Sequence, residues 1–436
     1  STLHSVKLTT LLLALAPTSL LAGPPIQQWQ SPGGSRVLFV AAPALPMIDL
    51  QLVCDAGSAR DPAGSVALMT NSLLFSGAAN LDADAIAAGF EDLGAQTGSS
   101  VSRDMASVSL RSLSDDDHLK PALALFAKVI SEANFPQIDF ERERGNLQLG
   151  LEQEKQSPGA LAKRAFYQKL YDDHPYAAMS SGTEQSVAEL TRDQLIEFKQ
   201  DHYQRNNCLV TLVGDLSRRQ AEAIAEQITE NLPAGSDQPA LRNVASIKKN
   251  PKQLVQQIIH PSQQTHLLLG QPAIARGDDD FFALFLGNHV LGGSGLTSRI
   301  SQVIREQEGL AYSSYSYFAP MSRQGPFVMG LQTRNDQADK AAKLLRAELN
   351  KFVADGPSEE ELTAAKQNLT GGFPLRIDSN SKIIGYLSMI GFYGLPLDYL
   401  DDWVDRINAI SAKQIRETFQ RRVNLQQLVE VRVGGE

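Results

Sequence analysis

The stretch GGSGLTSRISQVIREQEGLAYSSYSYF, at residues 292–318, decides how the rest of this chain is interpreted. Ser298 can accept a hydrogen bond from the first turn of a helix, and apolar residues follow at helical spacing. Gly309 is a natural helix stop, and the tyrosine-rich run at residues 310–318 has the composition of a strand. The stretch therefore predicts a helix, a tight turn and a strand.

Two polar side chains lie on either side of the predicted turn between this helix and this strand. Arg305 lies in the last predicted turn of the helix, and Tyr312 lies seven residues later at the start of the strand. An ordinary solvated arginine and a packed tyrosine would explain both, because tyrosine is commonly half-buried. The alternative is a binding role, because the neighbouring glycines leave the backbone open to close approach by another molecule.

Composition sets the broad class of the protein. The chain has 436 residues, of which 42% are hydrophobic and 20% are charged, as expected for a globular protein of two or three domains. Its net charge of -9 provides no basic surface for nucleic acid. Cys54 and Cys208 are too few for a disulfide scaffold or a structural zinc site. Each lies in a strand-like run, which favours two buried free thiols over a single disulfide.

The N-terminus has the layout of a secretory signal peptide at residues 1–23. Lys7 precedes a short apolar run, and small residues follow up to Ala22. The apolar run is too short to span a bilayer. We therefore expect a bacterial periplasmic protein that begins near Gly23 or Pro24 and has no membrane attachment once the signal is removed.

The remaining chain repeats itself. Gln194 corresponds to Gln414 and Gly214 to Gly434, both at an offset of 220 residues and within similar sequence. A period of this length is too long for a solenoid repeat, so it indicates two homologous domains.

The predicted domains comprise residues 24–232 and 254–436, joined by a polar linker at 233–253 that contains Pro, Gly and Ser. Strands and helices within each half predict an α+β fold. We expect each domain to be an antiparallel sheet with helices packed on one face.

The motif SRI-x₃-IRE-x₂-GLAYS resembles the C-terminal-domain motif of the M16 (pitrilysin-type, inverzincin) zinc peptidases. In that family, the residues matching Arg305 and Tyr312 bind the substrate backbone and help to stabilise the reacting carbonyl. The resemblance covers nearly the whole mature chain and agrees with the duplication. It implies that the two halves form a clam-shell around a peptide-binding chamber.

The same resemblance implies a zinc motif that this chain lacks. Active family members carry H-x-x-E-H on a helix, where two His at i and i+4 bind zinc and the Glu acts as general base. The matching positions here hold Leu68, Asn71 and Ser72, and Gly150 replaces the third ligand. Leu68 cannot bind zinc, and Asn71 cannot take a proton at neutral pH. The loss of all four positions predicts a chain without a metal or cofactor of its own.

One other acidic cluster could suggest a metal site. The run from Asp115 to His118 directly precedes a predicted helix, whose N-terminus favours carboxylates. A capping role therefore explains it better than metal binding.

Within the M16 family, this asymmetry resembles the non-catalytic subunit of two-chain enzymes. The chain would supply Arg305 and Tyr312 to a peptide, and a partner bearing H-x-x-E-H would supply the zinc, in a heterodimer or larger assembly. Alone, it would be metal-free and inactive. Two alternatives are an inert scaffold and a stand-alone clam-shell that captures peptides by strand addition.

Overall fold

A computed structural model describes residues 25–246, 250–307, 309 and 311–435 of the chain. Within these ranges, the side chains of Pro251, Glu306, Gln307 and Tyr312 are not described. The predicted signal peptide at residues 1–23 lies outside the described residues, as does part of the predicted linker.

The described residues of the first half form a six-stranded sheet, a two-stranded ribbon and eight α-helices. Its strands are β1 (Gln27–Gln30), β2 (Arg36–Ala41), β3 (Met47–Cys54), β4 (Gly77–Ala78), β5 (Leu81–Asp82), β6 (Gln96–Val101), β7 (Ala106–Leu113) and β8 (Cys208–Gly214). Its helices are α1 (Val66–Ser72), α2 (Ala83–Asp92), α3 (Asp116–Glu132), α4 (Gln137–Glu154), α5 (Pro158–Tyr171), α6 (Glu184–Glu189), α7 (Arg192–His202) and α8 (Arg218–Thr229).

The second half forms a five-stranded sheet with its own helices. Its strands are β9 (Val255–Ile258), β10 (Gln264–Ile274), β11 (Ala311–Phe318), β12 (Gly325–Arg334) and β13 (Val429–Val433). Its α-helices are α9 (Phe281–Asn288), α10 (Arg299–Ser301), α11 (Ala338–Asp355), α12 (Glu359–Arg376), α13 (Asn380–Tyr393), α14 (Tyr399–Asn408) and α15 (Ala412–Arg422). None of the helices in the described part of the chain is long and apolar enough to cross a bilayer.

The two sheets have the same strand order, which confirms the duplicated α+β fold. The first runs β1-β2-β8-β3-β7-β6 and the second β9-β13-β10-β12-β11, so that among the described strands of these two sheets only β1 lacks a counterpart. The prediction of antiparallel sheets holds for the other strand pairs of both sheets, but β2 with β8 and β9 with β13 are parallel pairs. The last strand of each half returns after a long helical connection, and such a connection fixes no strand direction in advance.

One helix of each half also packs against the sheet of the other half. Helix α5 packs on β10 and β13 of the second sheet, and α13 packs on β3 and β8 of the first. Along β2, Val37 and Phe39 belong to the core of the first half, whereas Leu38 and Val40 join the core that contains α13. Helices therefore cover both faces of the sheet, and the prediction of one covered face was wrong. The sequence of a strand shows that both its faces are apolar, but not which half covers them.

Cys54 and Cys208 form a disulfide between β3 and β8. The two residues are directly opposite each other on adjacent antiparallel strands, with their Cα atoms 4.0 Å apart. The expectation of free thiols was wrong. Each cysteine was correctly placed in a buried strand, but 154 residues separate them, and nothing local indicated that their strands are neighbours.

We expect the variant Cys54→Ala/Cys208→Ala to lose about 2–5 kcal/mol of unfolding free energy, as is typical when a native disulfide is removed. Urea unfolding of the wild type, with and without reductant, measures the same loss independently. The double variant is the matched control, because reductant should leave its midpoint unchanged. Two titratable thiols in the unreduced, denatured wild type would contradict the bond.

Candidate functional site

Within residues 292–318, the predicted helix begins at a serine cap and ends at a glycine. The Ser298 side chain accepts a hydrogen bond from the backbone N–H of Ser301, which opens α10. Gly309 has a φ of 63° and donates its N–H to the carbonyl of Arg305 at 3.0 Å. Both predicted ends are confirmed. Between them, however, Gln302–Gln307 forms a π-helix, a wider turn often found at functional sites.

The structure brings the segments of both predicted site residues together. Arg305 is exposed on the π-helix, which packs against β11. The register between β11 and β12 shifts between Ala311 and Ser313, so Tyr312 is the extra residue of a β-bulge. The side chain of Tyr312 lies outside the described part of the structure. Its convergence with Arg305 therefore stays a prediction.

Buried contacts fix the backbone beneath Arg305. Ile300 and Ile304 are completely buried on the inner side of the helix. The Asn288 amide of α9 donates to the carbonyl of Ser316 at 3.0 Å, and the Ser316 hydroxyl donates back to Asn288 Oδ1 at 2.6 Å. These two hydrogen bonds tie β11 to α9. The exposed side chain of Arg305 thus projects from a well-anchored segment.

The other arginine of the motif has a structural role. Arg299 donates to both carboxylate oxygens of Glu361 on α12, at 2.7 and 2.6 Å, and to the carbonyl of Gly356 at 3.1 Å. Hydrogen bonding from Arg299 lowers the pKa of Glu361 to about 2. The guanidinium group of Arg299 therefore forms hydrogen bonds within the protein, whereas Arg305 is exposed.

Of the four positions that match the zinc motif, the general-base position is packed into the core. Asn71 is 1% exposed, and its amide donates to the carbonyl of Ser107 at 3.1 Å and to the hydroxyl of Tyr203 at 3.3 Å. Leu68 is half-buried on the same helix, and Gly150 is exposed on α4. Among the described residues, no group of three His, Cys, Asp or Glu could hold a metal ion.

We expect the isolated chain to bind no stoichiometric zinc and to cleave no peptide, because a leucine, a core amide and a glycine occupy ligand or base positions. Metal analysis after dialysis against zinc measures the first, and a fluorogenic peptide assay the second. An H-x-x-E-H peptidase carried through the same dialysis controls for zinc loss. One zinc per chain would contradict the prediction.

The acidic run before α3 is a helix cap, as predicted. Asp115 accepts from the backbone N–H of His118, and its carboxylate lies 2.6 Å from Nδ1 of the same histidine. Hydrogen bonding to His118 lowers the pKa of Asp115.

Sequence reasoning missed a buried carboxylate that joins the two halves. Asp104, in the turn between β6 and β7, is 4% exposed. It accepts hydrogen bonds from the hydroxyls of Tyr176 at 2.6 Å and Tyr393 at 2.7 Å, and from the N–H of Ser322 at 2.8 Å. Tyr393 ends α13, and Ser322 lies in the turn before β12. These partners are 72 to 289 residues away, so no local pattern could have indicated them.

The described part of the predicted linker takes part in the same junction. Nε2 of His174 donates to the carbonyl of Arg242 at 2.8 Å, and Arg323 donates to the carbonyl of Leu241 at 2.8 Å. The linker segment therefore bridges the first half and the hairpin that contains β11. The predicted domain boundaries themselves stay predictions.

Comparison with known proteins identifies the family. The family model for insulinase (peptidase family M16) matches residues 36–184, and the family model for the peptidase M16 inactive domain matches residues 189–369. A crystal structure of the peptidase M16 inactive domain from Pseudomonas fluorescens is 40% identical, covers 94% of this chain and 98% of that chain, and has a TM-score of 0.91.

Two curated relatives of this chain also bear names of peptidases or peptidase homologues. The non-peptidase homolog YmxG of Helicobacter pylori is 28% identical over 70% of either chain. The uncharacterized zinc protease YmxG of Bacillus subtilis is 22% identical over 89% of this chain and 94% of the relative. Together with the substituted ligand positions, these matches show that the chain belongs to the M16 peptidase family as a member of the inactive type.

Proposed function

We propose that this chain is the non-catalytic subunit of a two-chain, exported M16 zinc peptidase. It offers Arg305 and Tyr312 to a peptide that is held at the zinc of a partner bearing H-x-x-E-H. One contrast carries the proposal: Asn71 at the general-base position is locked into the core, whereas Arg305 is exposed on an anchored helix.

Chemistry explains why a partner is needed. Hydrogen-bond donors aimed at a carbonyl stabilise the charge that develops on its oxygen, but they provide no nucleophile. In a zinc peptidase the nucleophile is the metal-bound water, with a neighbouring Glu as base. This chain retains residues of the first kind and lacks those of the second, so a second subunit completes the site.

Reconstitution tests the proposal. The chain is purified alone, mixed with an H-x-x-E-H-bearing M16 protein of the same bacterium, and examined by size-exclusion and peptide cleavage. We expect a stable complex whose activity exceeds that of either chain. A complex without activity would favour the inert scaffold, and no complex would favour a stand-alone role.

A stand-alone peptide-binding function is the second candidate. Strand β6 ends the first sheet and, among the described strands, pairs with a neighbour on one side only. An unpaired edge can accept an extended peptide by strand addition. This candidate requires peptide binding without any partner, and hence the two functions give different results in the reconstitution.

Export to the periplasm is part of the proposal. The signal-like N-terminus supports it, as does the disulfide between Cys54 and Cys208, because disulfides persist in oxidising compartments. We expect native protein to begin near Gly23 or Pro24 and to fractionate with periplasmic contents. N-terminal sequencing measures this, and recovery of the first twenty or so residues would contradict it.

A further inference from the structure

His174 is a buried histidine that uses both of its ring nitrogens. It is 5% exposed, and the rings of Tyr171 and Tyr176 pack against it with centroids 6.1 and 4.7 Å away. Nε2 donates to the carbonyl of Arg242 at 2.8 Å, and Nδ1 accepts from the backbone N–H of Tyr176 at 3.0 Å. An imidazolium ion would donate at both nitrogens, so these two partners together require the neutral ring.

The charges around the ring also favour its neutral form. Burial lowers the pKa of His174, and the positive charges of Arg242 on the linker and Arg323 in the turn between β11 and β12 lower it further. The hydrogen bond to the Arg242 carbonyl and the charge of Asp173 oppose this shift. The Asp173 side chain, however, is 90% exposed and lies 3.6 Å from the Arg242 guanidinium, so its effect on the ring is screened. Burial raises the pKa of both neighbouring tyrosines, which therefore stay uncharged.

Tyr176 connects the histidine to the hairpin of β11 and β12. Its hydroxyl donates to Asp104 at 2.6 Å and accepts from the backbone N–H of Arg323 at 3.1 Å. The side chain of Arg323 donates in turn to the carbonyl of Leu241 on the linker. His174 thus lies where the first half, the linker and the hairpin of the second half meet.

We propose that His174 is an acid-sensitive positioning residue, which holds the linker and the hairpin of β11 in place only while its ring is neutral. A proton on Nδ1 turns the acceptor into a donor, so the hydrogen bond from the N–H of Tyr176 is lost. The same proton places a positive charge beside Arg242 and Arg323. Acid therefore releases the linker carbonyl and loosens the turn before β12. The isolated chain should behave in this way whether or not it has a catalytic partner.

The released form is favoured at low pH. The pKa of His174 is lowered in the closed form and returns toward the ordinary value of about 6.5 on release. The released form therefore binds the proton more tightly, and the closed form loses stability as the pH falls below about 6.5. Between pH 7.5 and pH 5.5, the equilibrium constant for release should rise about tenfold, because a histidine of ordinary pKa changes from mostly neutral to mostly protonated over this range.

Hydrogen exchange and proteolysis of the isolated chain at these two pH values measure the release. Peptides that contain Tyr176, Ser322 and Arg323 report the three N–H groups at this junction, after correction for the pH dependence of chemical exchange. Trypsin cleavage between Arg242 and Asn243 reports the linker, with rates normalised to a small substrate at the same pH. We expect exchange and cleavage to rise about tenfold at pH 5.5.

Two variants remove the titration and each keep one hydrogen bond. In His174→Asn the side-chain oxygen can still accept from the N–H of Tyr176, and in His174→Gln the amide can still donate to the carbonyl of Arg242. Neither variant should respond to acid. His118→Asn, at a histidine that is 41% exposed and paired with Asp115, is the matched control and should respond like the wild type. Melting temperatures at pH 7.5 verify folding.

The comparison with the variants is needed because burial also lowers the pKa of three other histidines. These are His202, His266 and His289. An equal acid response in the wild type and both His174 variants would therefore overturn the proposal. Unchanged exchange in the wild type at pH 5.5 would also overturn it, even if neither variant folds. An equal rise in a core peptide from β3 would show global unfolding by acid and contradict a local release.

Discussion

In the reconstituted two-chain enzyme, Tyr312→Phe should lower kcat by about 10²–10³-fold, roughly 3–4 kcal/mol of transition-state stabilisation. The substitution removes one hydroxyl donor and keeps the ring. A hydrogen bond to the carbonyl oxygen matters most when negative charge develops on it, so the effect should appear in kcat more than in KM.

Arg305→Ala should raise KM as well as lower kcat. A guanidinium group that binds the substrate carbonyl in the ground state stabilises the bound state and the transition state alike. Because Arg305 is exposed, its removal should leave the melting temperature of the chain nearly unchanged. Each variant is mixed with wild-type partner, the complex is verified by size-exclusion, and initial rates are measured over a range of peptide concentrations.

Arg299→Ala provides the matched control. It removes an arginine of the same motif whose guanidinium group donates to Glu361. Because these hydrogen bonds are lost, the substitution should lower the melting temperature of the isolated chain. The packing interpretation of Arg305 and Tyr312 predicts the reverse pattern. Full activity of the Tyr312→Phe complex, or a large drop in melting temperature for Arg305→Ala, would mean that the segment around the predicted turn has a structural role only.

The parts of the fold that depend on local chemistry could be predicted from the sequence. A serine that can accept from the first turn and a glycine that can adopt positive φ marked the ends of the helix at Ser298 and Gly309. The duplication was visible because both halves keep the same polar and glycine signals at a constant offset. The substituted zinc positions were visible because a leucine cannot replace a histidine as a ligand.

The parts that depend on distant pairing could not be predicted. The disulfide required knowing that β3 and β8 are adjacent, and the exchange of α5 and α13 required knowing which half covers each sheet face. The π-helix that contains Arg305 depends on how its segment packs against β11 and α11. The Asp104 junction combines residues from four separate segments, and an aspartate in a turn is otherwise an ordinary surface residue.

That junction leads to the second large effect: Asp104→Ala should strongly destabilise the chain. Removing the carboxylate leaves the hydroxyls of Tyr176 and Tyr393 and the N–H of Ser322 without their acceptor. Burial, and then the Asp104 carboxylate, raises the pKa of both tyrosines, so they remain protonated donors. Each orphaned buried donor costs about 1–3 kcal/mol, which places the loss at roughly 3–9 kcal/mol. The lower half of that range is expected because Tyr393 is only partly buried and Ser322 is exposed.

Tyr393→Phe is the matched control, since it removes one donor and keeps the ring. It should cost only about 0.5–1.5 kcal/mol, the net value of a typical hydrogen bond. In the double variant Asp104→Ala/Tyr393→Phe, the phenylalanine removes a donor that the first substitution orphaned, so the combined loss should be smaller than the sum of the two. Urea unfolding of the four proteins measures this coupling. Additive losses, or an Asp104→Ala effect no larger than that of Tyr393→Phe, would show that Asp104 does not join the halves. If it does, the hairpin of β11 depends on Asp104 for its position, and the variant should also activate the catalytic partner less well under conditions in which it remains folded.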